Sequence, residues 1–181
     1  RKGSLIQRSA ESMDRLIGDL LAYSRIEAGR LVVTLSELDV AALCREAVES
    51  FEGQAQERDV SLALELAPDL PVVRGDPHRL AQVLSNLLGN ALRHAPAGGR
   101  VLVRGEPSGQ GVRISVEDNG PGIPSEFLPD LFSRFTQADH ASRSGAGLGL
   151  WISRGIVEAH GGRISAEAPQ GGGARLSFTL P

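Results

Sequence analysis

Apolar and small residues in the first part of the chain recur at a spacing of seven. Two rows follow this spacing, namely Ile6, Met13 and Leu20, and Ala10, Ile17 and Ser24. Two offset heptad rows are typical of a helix that packs in a bundle or coiled coil, and an amphipathic helix that packs on its own domain is the alternative. The pattern predicts one long helix over residues 2–29 that ends at Gly29.

After residue 38, short alternating stretches and longer helical stretches follow one another. Asp39 is predicted to cap one helix, and Asp76, which is followed by a proline, is predicted to cap a second helix that runs to about His94. A third helix is predicted over 148–159, after an irregular stretch over 119–147. Alternation of apolar and polar residues predicts strands at 60–66, near 72, at 101–103 and 112–116 as a hairpin, at 163–168 and at 175–180.

This order of elements predicts an α/β fold in which a mixed sheet packs on helices, preceded by one long helix. We expect three regions along the chain. The helical segment covers residues 1–30, a linker of extended residues covers 31–38, and the α/β domain covers 39–181.

The overall composition excludes several classes of protein. The chain has 181 residues, of which 41% are hydrophobic and 23% charged, as in ordinary water-soluble domains. A net charge of −3 argues against nucleic-acid binding. The single cysteine, Cys44, excludes an intrachain disulfide and a cysteine-rich zinc site. The longest unbroken apolar run, 40–44, is far too short for a membrane span.

A row of polar residues follows one side of the helix predicted over 77–94. Gln82, Asn86, Asn90 and Arg93 fall on this row, away from the apolar face of the same helix. Amide oxygens and a guanidinium suit phosphate and a hard cation such as Mg²⁺. A solvated helix face is the alternative, although asparagine is a weak helix former and uncommon on such faces.

Asp118 is in phase with the apolar positions of the strand that ends near it. Val112, Ile114 and Val116 point to one side, so the Asp118 carboxylate is expected on the buried side as well. A buried carboxylate needs a hydrogen-bond donor, and the amino group of adenine is one candidate. The alternative is a hairpin turn at Asp-Asn-Gly, but no strand follows residues 119–122.

Glycines are concentrated where the irregular stretch meets the helix predicted over 148–159. Gly145, Gly147 and Gly149 leave backbone N–H groups open at a helix start, which predicts an anion site. A flexible loop is the alternative. The segment is not a Walker loop, because no Gly-Lys-Ser/Thr follows, and no strand leads directly into it as in a dinucleotide-binding fingerprint.

Taken together, these segments resemble the catalytic domain of bacterial sensor histidine kinases, within the gyrase, chaperone, kinase and mismatch-repair ATPase superfamily. The resemblance rests on four motifs in order: the N box at 86–91, the G1 box at 118–124, the F box at 131–135 and the G2 box at 145–150. Residues 19–29 are similar to the end of the second helix of the family's dimerisation and phosphotransfer domain. The resemblance implies a Bergerat-type two-layer α/β sandwich.

The resemblance also implies a role for each motif residue. Asn90 should coordinate Mg²⁺, Arg93 should reach the phosphates, and both are candidate catalytic residues. Asp118 should accept from adenine, and residues 136–147 should form a lid over ATP, anchored by Phe132 and Phe135. The implied ATP-binding residues are Asn86, Asn90, Arg93, His94, Asp118, Gly120, Gly122, Ile123, Arg143, Ser144, Gly145, Ala146, Gly147, Leu148, Gly149 and Leu150.

Two positions depart from related patterns. Superfamily members that hydrolyse ATP carry a general-base glutamate four residues before the metal asparagine, where this chain has Asn86. Because an amide cannot take a proton from water, the resemblance implies transfer to histidine rather than hydrolysis. Many histidine kinases also have a tyrosine after the basic N-box residue, and this chain has His94, whose imidazole offers less area for stacking on adenine.

The function implied is an ATP- and Mg²⁺-dependent protein-histidine kinase that relays phosphate to a response-regulator aspartate. None of His78, His94, His140 and His160 has the sequence setting of the acceptor, so we expect it upstream of residue 1. The implied setting is cytoplasmic, as a homodimer formed through the bundle helix. Two alternatives stay open: a kinase-inactive nucleotide-binding and dimerisation module, and an anti-sigma-type serine kinase on the same fold.

Overall fold

The computed structural model describes residues 17–18, 20–134, 147–169 and 171–181. Residues 17–18 and 20–27 are helical, and we call this N-terminal helix α1. It ends in a turn at Gly29, which has a φ of +63°, a conformation that glycine adopts without strain. The predicted helix end is therefore confirmed, while the part of the prediction over 2–16 lies outside the described residues.

Three further helices follow, and local capping explains where two of them start. They are α2 (Val40–Glu57), α3 (Pro77–His94) and α4 (Gly149–Ala159). The Asp39 carboxylate accepts from the backbone N–H of Ala42, and the Asp76 carboxylate accepts from that of Arg79. Both predicted caps are confirmed, because each side chain satisfies an N–H that the first helical turn leaves unpaired.

The main sheet is mixed, as predicted. Two short strands, β1 (Ser36–Leu38) and β3 (Val73–Gly75), form a separate antiparallel pair. Five strands form the larger sheet in the order β2-β4-β5-β7-β6, and only β2 and β4 run parallel. Their bounds are β2 (Ser61–Leu66), β4 (Arg100–Ser108), β5 (Gly111–Asp118), β6 (Arg163–Glu167) and β7 (Ala174–Leu180).

The core lies between the inner face of this sheet and helices α2, α3 and α4, with α3 in the middle, in contact with both other helices. Period-two alternation places inward side chains of neighbouring strands in register, as at Ile114 and Phe178, both fully buried. Leucines of α3, including Leu84 and Leu88, fill the facing layer. This is the two-layer α/β sandwich expected from the sequence.

The outer face of the sheet carries a row of alternating charges that crosses all five strands. Glu65 pairs with Arg104 at 2.8 Å, Arg104 with Glu117 at 3.6 Å, Glu117 with Arg175 at 2.7 Å and Arg175 with Glu167 at 3.7 Å. Opposite charges directly across strands stabilise a sheet modestly. This face is therefore polar, while the inner face is apolar.

The predicted linker is tied to the α/β domain by hydrogen bonds around Asp76. Residues 36–38 pair with β3, and the backbone N–H of Thr34 donates to Asp76 Oδ2 at 3.0 Å. The backbone N–H of Asp76 in turn donates to Nε2 of buried His160 at 2.9 Å, and His160 Nδ1 donates to the Ile156 carbonyl. Asp76 thus joins the linker, the start of α3 and the end of α4.

Candidate active site

Helix α3 divides into an apolar and a polar side, as the sequence predicts. Leu80, Val83, Leu84, Leu87, Leu88 and Leu92 are fully buried. Gln82, Asn86, Asn90 and Arg93 are all partly buried. The solvated-face alternative predicts exposed side chains on this row, so their partial burial favours a site that is lined by the row.

Asn90 and Arg93 lie together at the C-terminal half of α3. Arg93 Nη1 is 3.5 Å from Asn90 Oδ1, which brings the guanidinium beside the amide oxygen that the family resemblance assigns to Mg²⁺. Among the described residues there is no cluster of three acidic, histidine or cysteine side chains that could hold a metal alone. A single neutral oxygen ligand fits Mg²⁺ that is held mainly by phosphate and water.

The amide of Asn86 faces α4. Its Nδ2 donates to the Gly149 carbonyl at 3.0 Å and to Ser153 Oγ at 3.2 Å. Ser153 is fully buried and also donates to the Gly149 carbonyl, at 2.8 Å. These bonds bring the N box against the start of α4, which lies at the end of the G2 box. Ser153 could not be identified from the sequence, because a lone serine in a helix carries no signal.

Asp118 is buried, as predicted, with 8% of its surface exposed. Its Oδ1 accepts from the backbone N–H of Gly120 at 2.8 Å. Burial raises the pKa of the Asp118 carboxyl above its ordinary value, although backbone hydrogen bonds from Gly120 and Ala174 and the nearby His94 act in the opposite direction. A further donor, such as an adenine amino group, would stabilise the ionised form in this setting.

Glycines beside Asp118 are required by close backbone contacts. A side chain at Gly120 would meet the His94 carbonyl oxygen at 2.5 Å, so this glycine lets the G1 box lie against the end of α3. Gly122 has a φ of +83°, and a Cβ there would meet the Gly173 carbonyl oxygen at 2.9 Å. A Cβ at Gly173 would clash with the Asp118 carbonyl oxygen, a requirement that the sequence did not reveal.

The remaining predicted site residues fall into two groups. His94 is exposed at the end of α3, and Ile123, Leu148 and Leu150 pack against the core. Gly147 has a φ of +67° just before α4. Arg143, Ser144, Gly145 and Ala146, with most of the predicted lid, lie outside the described residues, as does Phe135. Phe132 is buried, and its role as an anchor of the lid stays a prediction.

Helix α3 is therefore the element that joins the motifs. Its C-terminal end touches the G1 box through His94 and Gly120, and its polar row touches the start of α4 through Asn86 and Gly149. One side of α3 thus lies between a buried acceptor, Asp118, and a helix start that follows glycines. This arrangement suits a nucleotide, with the base at Asp118 and the phosphates near Asn90 and α4.

Comparison with known sequences finds an ATPase family and sensor proteins among the relatives of this chain. Residues 75–181 match the sequence profile of the histidine kinase-, DNA gyrase B- and HSP90-like ATPases. The alginate biosynthesis sensor protein KinB of Pseudomonas aeruginosa is 40% identical over 184 residues, which cover 100% of this chain and 31% of that protein. The adaptive-response sensory kinase SasA of Synechococcus sp. (strain JA-3-3Ab) is 34% identical, covering 97% of this chain and 47% of that protein.

Two solved structures superpose on nearly the whole of this chain. Full-length ShkA in complex with AMPPNP superposes with a TM-score of 0.86 at 31% identity, covering 98% of this chain and 37% of that one. Histidine kinase ThkA in complex with the response regulator protein TrrA superposes with a TM-score of 0.79 at 29% identity, covering 98% of this chain and 49% of that one.

The chain belongs to the histidine kinase-, DNA gyrase B- and HSP90-like ATPase family. Within that family, its curated relatives are sensor proteins and sensory kinases, the solved structures that it resembles include histidine kinases, and its α/β domain is an ATPase domain of their type. The chain spans less than half the length of the curated relatives that it matches. None of the helices in the described part of the chain is long and apolar enough to cross a bilayer.

Proposed function

We propose that this chain is the catalytic part of a sensor histidine kinase that binds ATP with Mg²⁺ and transfers the γ-phosphoryl group to a histidine. The observation that carries the proposal is the buried Asp118 carboxylate, which lies beside the end of the α3 helix that bears Asn90 and Arg93. A buried carboxylate without a ligand is costly, and its retention fits a base-recognition role.

The side chains divide the work between base and phosphates. Asp118 accepts from the adenine amino group, while Gly120 and Gly122 let the backbone approach the base. Asn90 would hold Mg²⁺ through Oδ1, and Arg93 offsets phosphate charge from the same helix row. Mg²⁺ supplies further charge neutralisation when bound. Such positioning favours in-line transfer, in which the bond from phosphorus to ADP breaks as a bond to an imidazole nitrogen forms.

Asn86 supports transfer over hydrolysis in this proposal. The residue at this position has no carboxylate to take a proton from water, and its amide nitrogen is committed to α4. A well-placed imidazole nucleophile needs no such base, because its nitrogen lone pair attacks directly. The predicted contact of Asn86 with ATP stays a prediction.

We further propose that α1 belongs to the dimerisation and phosphotransfer region, with the α/β domain beginning after residues 31–38. Its exposed apolar residues support this assignment, since Ile17, Leu20 and Leu21 are 58%, 62% and 54% exposed. Such a stripe fits burial against other helices of a dimer. The structure of ThkA with TrrA supports a response-regulator partner, and ATP use supports a cytoplasmic setting.

A phosphotransfer assay tests the proposal. The full-length protein is incubated with radiolabelled ATP and Mg²⁺, in its parent form and as Asp118→Asn and Asn90→Ala. We expect acid-labile, base-stable label, as for phosphohistidine, in the parent and at least about a tenfold loss in both variants. Acid-stable label would indicate a serine kinase. ATP binding without any label would indicate the kinase-inactive module.

A further inference from the structure

The hydrogen-bonding capacity of the Asn86 amide nitrogen is fully used by α4. One hydrogen of Nδ2 reaches the Gly149 carbonyl at 3.0 Å and the other reaches Ser153 Oγ at 3.2 Å. These partners also fix which way the amide points, since the opposite orientation would set Oδ1 against the Gly149 carbonyl oxygen. The contact joins residues that lie 63 and 67 positions apart.

Ser153 completes a closed set of three groups. Its hydroxyl accepts from Asn86 and donates to the Gly149 carbonyl at 2.8 Å, and the side chain is 0% exposed. The Gly149 carbonyl therefore accepts from both side chains. Buried polar groups that satisfy one another in this way hold a fixed geometry, because breaking one bond leaves the others unpaired.

The position of this set links the two sides of the site. Asn86 lies one helical turn before Asn90 on the same row of α3, and Gly149 is the first residue of α4, two residues after Gly147. Leu148, the residue that immediately precedes α4, provides no side-chain cap, whereas α2 and α3 are capped by aspartates. The start of α4 is instead held from outside, by Asn86.

We infer that Asn86 is a positioning residue for the phosphate-binding side of the site, acting through Gly149 and Ser153. This inference rests on the proposed function and deepens it. The bonds from Asn86 fix the start of α4, and with it Gly147 just before the helix, relative to Asn90. The adenine side does not depend on these bonds, because Asp118 is positioned by β5 and by Gly120.

Two consequences follow from this role, and the second separates it from a direct contact with nucleotide. Loss of the Asn86 amide should weaken the binding of ATP, which carries three phosphates, and leave that of AMP, which carries one, nearly unchanged. Loss of Ser153 should act on the same interaction. The effects of Asn86→Ala and Ser153→Ala on ATP affinity should therefore be strongly non-additive, as expected of residues in one network.

The experiment measures the affinity of this chain for Mg²⁺-ATP by calorimetry and for AMP by chemical-shift titration. The variants are Asn86→Ala, Ser153→Ala and the double variant. Ser85→Ala is the matched control, because it removes a neutral polar side chain from the exposed side of α3, next to Asn86 but outside the polar row. All three substitutions exchange one uncharged residue for another, so none of the four variants changes the charge near the phosphates.

We expect Asn86→Ala to weaken ATP about tenfold, Ser153→Ala about threefold, and the double variant no more than Asn86→Ala. AMP affinity should stay within about twofold throughout, and Ser85→Ala should leave both ligands unchanged. The inference is overturned if Asn86→Ala affects ATP and AMP equally, has no effect, or adds fully to Ser153→Ala. If Asn86→Ala does not fold, Ser153→Ala alone carries the same ATP-specific prediction. Failure of the parent to bind ATP would instead overturn the proposed function.

Discussion

The rings of Tyr23 and Trp151 lie against each other, with centroids 5.0 Å apart and planes inclined by 42°. The guanidinium of Arg134 lies 5.9 Å from the Tyr23 ring and 5.7 Å from the Trp151 ring, and it also pairs with Glu27. Ile26 packs against Gly155 on the next turn of α4. Helix α1 therefore contacts Arg134, which precedes residues 135–146 in the chain, and Trp151 and Gly155, which follow them.

This contact can be followed by fluorescence, because Trp151 is the single tryptophan of the chain. We expect Tyr23→Ala to shift the Trp151 emission to longer wavelength and to increase quenching by acrylamide, since the indole loses the ring that covers it. Tyr23→Phe keeps the ring and should behave as the parent. Identical emission from all three proteins would show that α1 is not held against α4 in solution.

Substitution of Asp118 should weaken ATP binding without lowering the stability of the fold. In Asp118→Asn the amide oxygen can still accept from Gly120, so the backbone contact is kept. The amide nitrogen, however, would oppose the adenine amino group, and we expect ATP affinity to fall at least about tenfold. Because burial disfavours the ionised carboxylate, the free energy of unfolding at pH 7 should not fall. Denaturant unfolding and calorimetry measure the two quantities, and a clear loss of stability would contradict this account.

The Asp118 carboxyl also determines the direction in which the stability of the fold changes with pH. Its pKa is raised from 3.8 by burial, so the folded state binds the proton more tightly than the unfolded state does. Its contribution to stability is present below pH 3.8 and is lost as pH rises through the folded-state pKa. We expect the stability of the parent relative to Asp118→Asn to fall over that window, and a difference that does not depend on pH would exclude this origin.

Asp76 should show the opposite sign. Burial alone would raise the pKa of its carboxyl, but backbone hydrogen bonds from Thr34, Arg79 and His78 outweigh burial and lower it. The stabilisation is therefore present above pH 3.8 and lost as pH falls through the folded-state pKa. We expect Asp76→Ala to lower the free energy of unfolding at pH 7 by about 1–2 kcal/mol, with a smaller loss in Asp76→Asn, measured in urea. Equal stability of all three proteins would contradict the proposed cap.

The residue at the centre of the charge row on the outer sheet face should contribute most to the stability that the row provides. Glu117 lies between Arg104 and Arg175, and its side chain is only 18% exposed. We expect Glu117→Gln to cost about 0.5–1 kcal/mol at low salt and less at 1 M salt, because ions screen the pairs. Glu106→Gln is the control, since its 3.9 Å pair with Arg113 is more exposed and should add nothing measurable. Equal losses would contradict a row that acts through its centre.

Local chemistry made much of the fold predictable. The starts of α2 and α3 followed from Asp39 and from Asp76 with its proline, since a cap acts within one turn. The burial of Asp118 followed from period-two alternation, since side chains two apart share a face. The strand order was not predictable, because alternation defines the two faces of a strand and not its neighbours.

The contacts that assemble the site could not be predicted in the same way. Asn86 meets Gly149 and Ser153 only because α3 packs beside α4, and the packing of helices depends on the whole core. Tyr23 meets Trp151 for a similar reason, since a heptad pattern shows that α1 has an apolar stripe but not what covers it. The role of Gly173 depends on the pairing of β5 with β7.

The central claim is that Asp118 and the row on α3 form one ATP site. Titration of this chain with ATP by calorimetry, with and without Mg²⁺, tests it most directly, with Asp118→Asn measured beside the parent. We predict saturable binding to the parent that tightens with Mg²⁺ and is lost in the variant. Absence of binding to the folded parent, or equal binding to the folded variant, would contradict the account.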